Sequence, residues 1–232
     1  MKQRQRYYFS LLPVFFLIAI SPGPSRAWHD ETHIAIAKVA GYHKWYNAAG
    51  ADMAKVKAND IEPYNHFVNN PSGKWVTPEM VLAQVKKYDR IDKVGHLYGA
   101  IIASTRNYIR KRKEGKYGEY HLAFCAHYVG DLSQPMHNML PSLFNKRYHV
   151  MVDGIVNNEV MDNLQKIRIY SISLDTEKDL AIEIARIANL SLALGNKMEA
   201  ENRPLVKGEA YKQLGHSASL FKAILRYLEK MN

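Results

Sequence analysis

From Thr32 the chain places apolar residues at helical spacing, at Ile34, Ile36, Ala37, Val39 and Ala40, and the pattern ends near Gly41–Trp45. Residues 48–74 carry Gly50, Pro63, Asn69, Asn70, Pro71 and Gly73, a loop-rich composition. Thr77-Pro78-Glu79 then reads as a helix start, with Thr77 as cap and Pro78 at the first helical position. Val81, Leu82, Val85 and Tyr88 follow at helical spacing, and Leu97–Ile109 continues in the same way. Glu119–Leu132 is apolar at Leu122, Phe124, Cys125, Tyr128 and Val129, which predicts a mostly buried helix that Pro135 ends. Further helices are predicted over Asn145–Leu164, Asp179–Leu194 and Glu209–Met231, the last two separated by turn signals at Gly195, Pro204 and Gly208. Strand-like alternation occurs only at Arg168–Ser173. Without an internal repeat or a linker, residues 28–232 read as one all-α domain.

The first 27 residues have a different pattern. A basic start (Lys2, Arg4, Arg6) leads into an apolar run from Tyr7 to Ile20, then Ser21-Pro22-Gly23-Pro24 and Ser25-Arg26-Ala27. The run contains Pro13 and is short for a membrane span, while the small residues Ser25 and Ala27 suit export cleavage. Residues 1–27 are therefore expected to be a signal peptide cut between Ala27 and Trp28, and the mature protein to be secreted or periplasmic. Processing changes the charge. The whole chain carries +10, and loss of Lys2, Arg4, Arg6 and Arg26 leaves +6, a weaker pointer to an anionic partner. A hydrophobic fraction of 47% with 23% charged residues excludes a disordered chain and a multi-span membrane protein. One cysteine, Cys125, excludes an intramolecular disulfide framework.

All ten histidines lie after Ala27. His127 and Asp131 are four residues apart, on one helix face, and His149 and Asp153 repeat that spacing, with His137 between the two pairs. Buried histidines with ordinary hydrogen bonds can give one such pair. Two pairs and a third histidine within 27 residues can converge nitrogen and carboxylate ligands, a set without thiolate that suits zinc in a hydrolytic site. Cleavage before Trp28 would add a free amine, which with its own carbonyl oxygen can chelate a metal; His33 follows five residues later.

The stretch from His121 through His127 and Asp131 to His137 resembles the signature of the bacterial zinc-dependent phospholipases C, a fold shared with the secreted zinc-type single-strand nucleases of fungi and plants. Asn59-Asp60-Ile61-Glu62-Pro63, His66-Phe67 and Gly73-Lys74 resemble the phospholipase branch. The resemblance implies three zinc ions: one held by Asp60, His66, His127 and Asp131, one by His137, His149 and Asp153, and one by the Trp28 amine and carbonyl, His33 and a bridging Asp131. Asp60 would orient or deprotonate the attacking water. Asp52 is the alternative to Asp60, since it lies fourteen residues before His66, closer to the family spacing. Tyr128 and Met136 lean towards the phospholipases; Asp153 and the short interval from Trp28 to His33 lean towards the nucleases.

The resulting expectation is a zinc-dependent phosphoric diester hydrolase of phospholipase C type that acts on phospholipid head groups at a membrane surface. A single-strand nuclease or 3′-nucleotidase, and a metal-binding relative without turnover, are the alternatives. Glu31, where the phospholipases carry a head-group contact, and the aromatic face of Phe67 are expected to touch substrate. His96 reads as a core histidine; His29, His43, His121 and His216 read as solvent-facing or capping. The basic run from Arg106 to Lys116 reads as a solvated helix end. No obligate protein partner is evident.

Overall fold

A computed structural model describes residues 28–52 and 61–231, and among these all regular structure is helical. Seven α-helices lie wholly within the described residues, in order α1 (Asp30–Ala40), α2 (Pro78–Gln84), α3 (Leu97–Lys113), α4 (Glu119–Leu132), α5 (Leu143–Gly154), α6 (Glu177–Ala200) and α7 (Lys207–Lys230). Short 3-10 turns at Trp45–Ala49, Glu62–Asn65, Pro135–Asn138 and Val160–Lys166 connect them. The expected signal peptide lies outside the described residues.

Local chemistry sets the helix boundaries. Gly41 ends α1 in the left-handed conformation, φ 89°, and the Tyr42 amide returns to the Ala37 carbonyl at 3.0 Å. Thr77 caps α2 by accepting from the Met80 amide at 3.4 Å. Thr176 and Asp179 cap α6 reciprocally, so that helix begins two residues earlier than its apolar pattern.

Two sequence expectations are corrected, and the one stretch of strand-like alternation stays irregular, in keeping with the all-helical reading. The helix expected over 145–164 breaks after Gly154 and resumes as the 3-10 turn Val160–Lys166. Gly195 is no turn: α6 runs through it to Ala200, and a Cβ there would sit 3.1 Å from the Met139 sulfur and 3.2 Å from the Pro135 carbonyl. The glycine lets the Pro135–Asn138 turn lie against α6. Arg168–Ser173 forms no strand, because no partner strand exists among the described residues; the Tyr170 amide instead donates to Ser219 Oγ on α7 at 3.0 Å.

The centre of the fold is α4. It packs along α3, with α1 and α7 across it, and α6 packs on α2 and the Pro135–Asn138 turn. Two apolar clusters fill the interior. The larger joins Ile101, Ile102, Cys125, Val129, Ile184, Phe221 and Ile224; the smaller gathers Trp28, Ile36, Met136, Val152 and Leu214. Each such aliphatic or aromatic side chain contributes about 1.5–3 kcal/mol by leaving water. From Leu122 to Leu132 only Phe124 of α4 is not fully buried, so the helix is enclosed on all sides. Polar groups at His127 and Asp131 in such a helix cost stability unless they meet partners.

A candidate metal centre of histidines and aspartates

Those partners come from across the chain. Asp131 lies at the C-terminal end of α4, fully buried. His66 Nδ1 stands 2.8 Å from its Oδ2, His127 Nε2 3.5 Å from the same oxygen, and His33 Nε2 3.4 Å from Oδ1. His33 and His127 stack with ring centroids 3.7 Å apart. Asp52 Oδ1 stands 3.7 Å from His127 Nε2. Three sets of donor atoms each fall within 4.8 Å of one another: His33 with Asp52 and His127; His66 with His127 and Asp131; His137 with His149 and Asp153. His127 belongs to two of the sets, and Asp131 borders His33 as well as its own.

The backbone is shaped for this convergence. A Cβ on Gly130 would fall 2.4 Å from His33 Nδ1, so only glycine lets α1 bring that ring against α4. Gly95, φ 78°, meets the Phe67 carbonyl just as closely, where a Cβ would be 2.1 Å away, and this seats the segment that carries His66. The His29 amide donates to the Asp153 carbonyl at 3.2 Å, tying the start of α1 to the end of α5.

Outer hydrogen bonds orient the rings. Nδ1 of His127 faces the Ala48 carbonyl at 2.9 Å, Nδ1 of His137 the His66 carbonyl at 2.5 Å, and Nδ1 of His149 the Asn145 side-chain oxygen at 2.9 Å. Each acceptor selects the tautomer with its proton on Nδ1, which leaves an Nε2 lone pair for the cluster. His66 is turned the other way: Nδ1 faces Asp131, and Nε2 stands 3.3 Å from Glu62 Oε1. Glu62 is buried and doubly fixed, by the Tyr128 hydroxyl at 2.5 Å and by Asn65 Nδ2 at 2.9 Å. Burial and the neighbouring Tyr88 and Glu62 hold the Tyr128 phenol well above its ordinary pKa, so it stays a donor. Gln134 Nε2 donates to Asp153 Oδ1, while its oxygen accepts from the Met136 amide. The roles of Glu62, Gln134 and Asn145 are not visible in sequence, although Glu62 sits in a quoted motif.

The expected residues fare differently. His66, His127 and Asp131 come together, as do His137, His149 and Asp153, and His33 joins the first set through Asp131. Trp28 is fully buried beside α5, next to the residue that bonds the Asp153 carbonyl. Asp60 lies outside the described residues; Asp52 stands at the cluster. Glu31 is exposed on the first turn of α1, and the Phe67 ring closes over Gly95. His96 is the core histidine expected, bonded through Nε2 to Asn65 Oδ1 at 2.8 Å, and burial holds it down at about 4.

No protein-family model and no curated protein matches this chain. Its site therefore rests on its own chemistry. Imidazole nitrogens and carboxylate oxygens without thiolate, oriented by outer hydrogen bonds, fit zinc better than magnesium or calcium, which prefer all-oxygen sets.

Proposed function

We propose that the protein is an exported zinc-dependent phosphodiester hydrolase of phospholipase C type. The observation that supports it most is the convergence of three histidine–aspartate donor sets, two of which share His127, around Asp131. His66, His127 and Asp131 would hold one ion, and His137, His149 and Asp153 a second. His33 and Asp52 would hold a third, completed after cleavage by the Trp28 amine and carbonyl. Bound zinc supplies a Lewis acid for the phosphoryl oxygen and lowers the pKa of water to near neutrality.

The remaining roles belong to the chain. Asp131 offsets the charge of crowded cations and fixes the orientation of His66. Asp52 keeps 19% of its side chain exposed, more than any other carboxylate of the three sets, so it can meet an entering water and take its proton. Water would add to phosphorus as Asp52 takes its proton, the bond to the glycerol oxygen would break, and the departing glycerol oxygen would receive that proton to leave as diacylglycerol. The phospholipid is preferred to a nucleic acid as substrate because Tyr128, Met136, Asp60-x-Glu62 and Gly73-Lys74 resemble that branch.

The test is a parallel assay of mature, zinc-loaded protein on phosphatidylcholine vesicles and single-stranded DNA. Release of phosphorylated head group from the vesicles is the expected result. Cleavage of DNA alone would move the protein to the nuclease branch, and bound zinc with neither activity would make it a non-catalytic relative. Asp52→Asn and Asp60→Asn, compared in zinc content, separate the two candidate carboxylates.

A further inference from the structure

Helix α5 has two chemically distinct sides. Asn145, His149, Val152 and Asp153 turn inward, with Asn145, Val152 and Asp153 buried. The other side leaves Leu143 at 87%, Val150 at 70% and Met151 at 55% exposure, and Leu140 just before the helix adds a fourth exposed aliphatic at 46%. Lys146 and Arg147 are exposed between them, and no acidic residue occurs from Leu140 to Val152. At 100° per residue, Leu143, Lys146, Arg147, Val150 and Met151 fall within one outward arc. An isolated exposed aliphatic is ordinary; four beside two cations on one arc form a coherent amphipathic face.

We propose that this face docks the protein on an anionic phospholipid bilayer. The inference rests on the phospholipase reading and deepens it, because the same helix carries His149 and Asp153 on its inner side, one helix diameter of about 10 Å away. The aliphatic side chains would enter the head-group layer, and Lys146 and Arg147 would meet lipid phosphates and anionic head groups. The mixture argues for lipid over nucleic acid: a strand-binding surface offers exposed aromatics for stacking, whereas the exposed apolar residues here are aliphatic and the half-buried Tyr148 ring is already covered by Phe144 and Arg147. No helix among the described residues is long and apolar enough to cross a membrane, so attachment here would be to the surface.

The experiment measures co-sedimentation of the mature protein with phosphatidylcholine vesicles containing phosphatidylglycerol. The L143E/V150E and K146E/R147E pairs should each reduce the bound fraction at least about tenfold, since each removes either buried apolar area or cation–lipid attraction. All these positions are exposed, and circular dichroism checks that the variants stay folded. Hydrolysis of a monomeric short-chain phosphatidylcholine should stay at the wild-type rate. Wild-type binding that neither pair alters, or no wild-type binding, overturns the proposal. Dimerisation lost on L143E/V150E, or DNA binding lost on K146E/R147E without vesicle binding, assigns the face elsewhere and also overturns it. Absence of hydrolysis on both soluble and vesicle substrates counts against the activity alone, because vesicle binding is read independently of turnover.

Discussion

The two ends of the candidate metal centre are built in different ways. The Asp131 end draws His33 from α1, Asp52 from the helical residues 50–52, His66 from the loop after a 3-10 turn and His127 from α4, segments far apart in sequence. The other end takes His137, His149 and Asp153 from 17 consecutive residues. The first buries His33, His127 and Asp131 completely and opens only at Asp52, 19% of whose side chain is exposed; the second keeps 15% of the His149 side chain open. An end assembled by tertiary packing depends on every helix that delivers a ligand. An end assembled within one helix and its preceding turn draws its ligands from local structure, although the His66 carbonyl and the His29 amide still reach it from elsewhere in the chain. Buried partners also make the first end the costlier to break.

That contrast orders what should happen when each end is disturbed. Asp131→Asn should have the largest effect, since Asp131 stands within 3.5 Å of three histidines; activity should fall well over 100-fold and zinc content below two ions. His149→Ala should remove one ion and leave the Asp131 end loaded, which elemental analysis of the purified variants would distinguish. Removal of metal by chelation should come next. At free zinc a thousandfold above the dissociation constant the linkage is worth about 4 kcal/mol, or roughly 10 °C of Tm for a domain of this size. An unchanged melting point after chelation would refute metal binding to the folded state.

Two substitutions probe the Asp131 end without touching its ligands. Glu62→Gln keeps the volume and the Tyr128 contact but removes the charge facing His66 Nε2. Zinc affinity at that end should fall by about 10–100-fold, with the His149 end unaffected, as cobalt-substitution spectra would show. Gly130→Ala should displace the His33 ring and cost about 1–3 kcal/mol in thermal or urea unfolding. The smallest effect is expected outside both ends. Burial holds His96, His121 and His216 down at about 4, below the ordinary value near 6.5. The unfolded chain then binds protons that the folded chain refuses, so stability of the metal-free protein should decline as pH falls from about 6.5 to about 4. His96→Gln should flatten that slope in urea titrations across the window.

The same contrast explains what sequence reading could reach. The His149–Asp153 pair is legible because helix periodicity alone puts its two members together, and His137 is legible as a third histidine close by in sequence, just past the break at Pro135. Helix α4 is legible with its ends intact, since Glu119–Leu132 is both strongly apolar and closed by Pro135. Asp52 is harder, because its position depends on how the loop-rich stretch before His66 folds back, and no local period encodes that. Glu62 is harder still: a carboxylate near a proline and an asparagine reads as a solvated turn until Tyr128 closes over it. Gly195 misleads for a related reason. A glycine that permits close packing inside a helix carries the same letter as one that ends it.

His127 lies in two donor sets at once, and Asp131 stands beside histidines of both. Filling one position would therefore alter the ligands offered to the next. A first cation would fix the shared imidazole and carboxylate and remove the ordering cost that a second would otherwise bear, while its charge would oppose the second's arrival. Occupancy of the two positions would thus be coupled and reciprocal. A zinc titration should depart from independent sites at this end of the centre, and the His137–His149–Asp153 set, which shares no ligand with them, should titrate on its own curve.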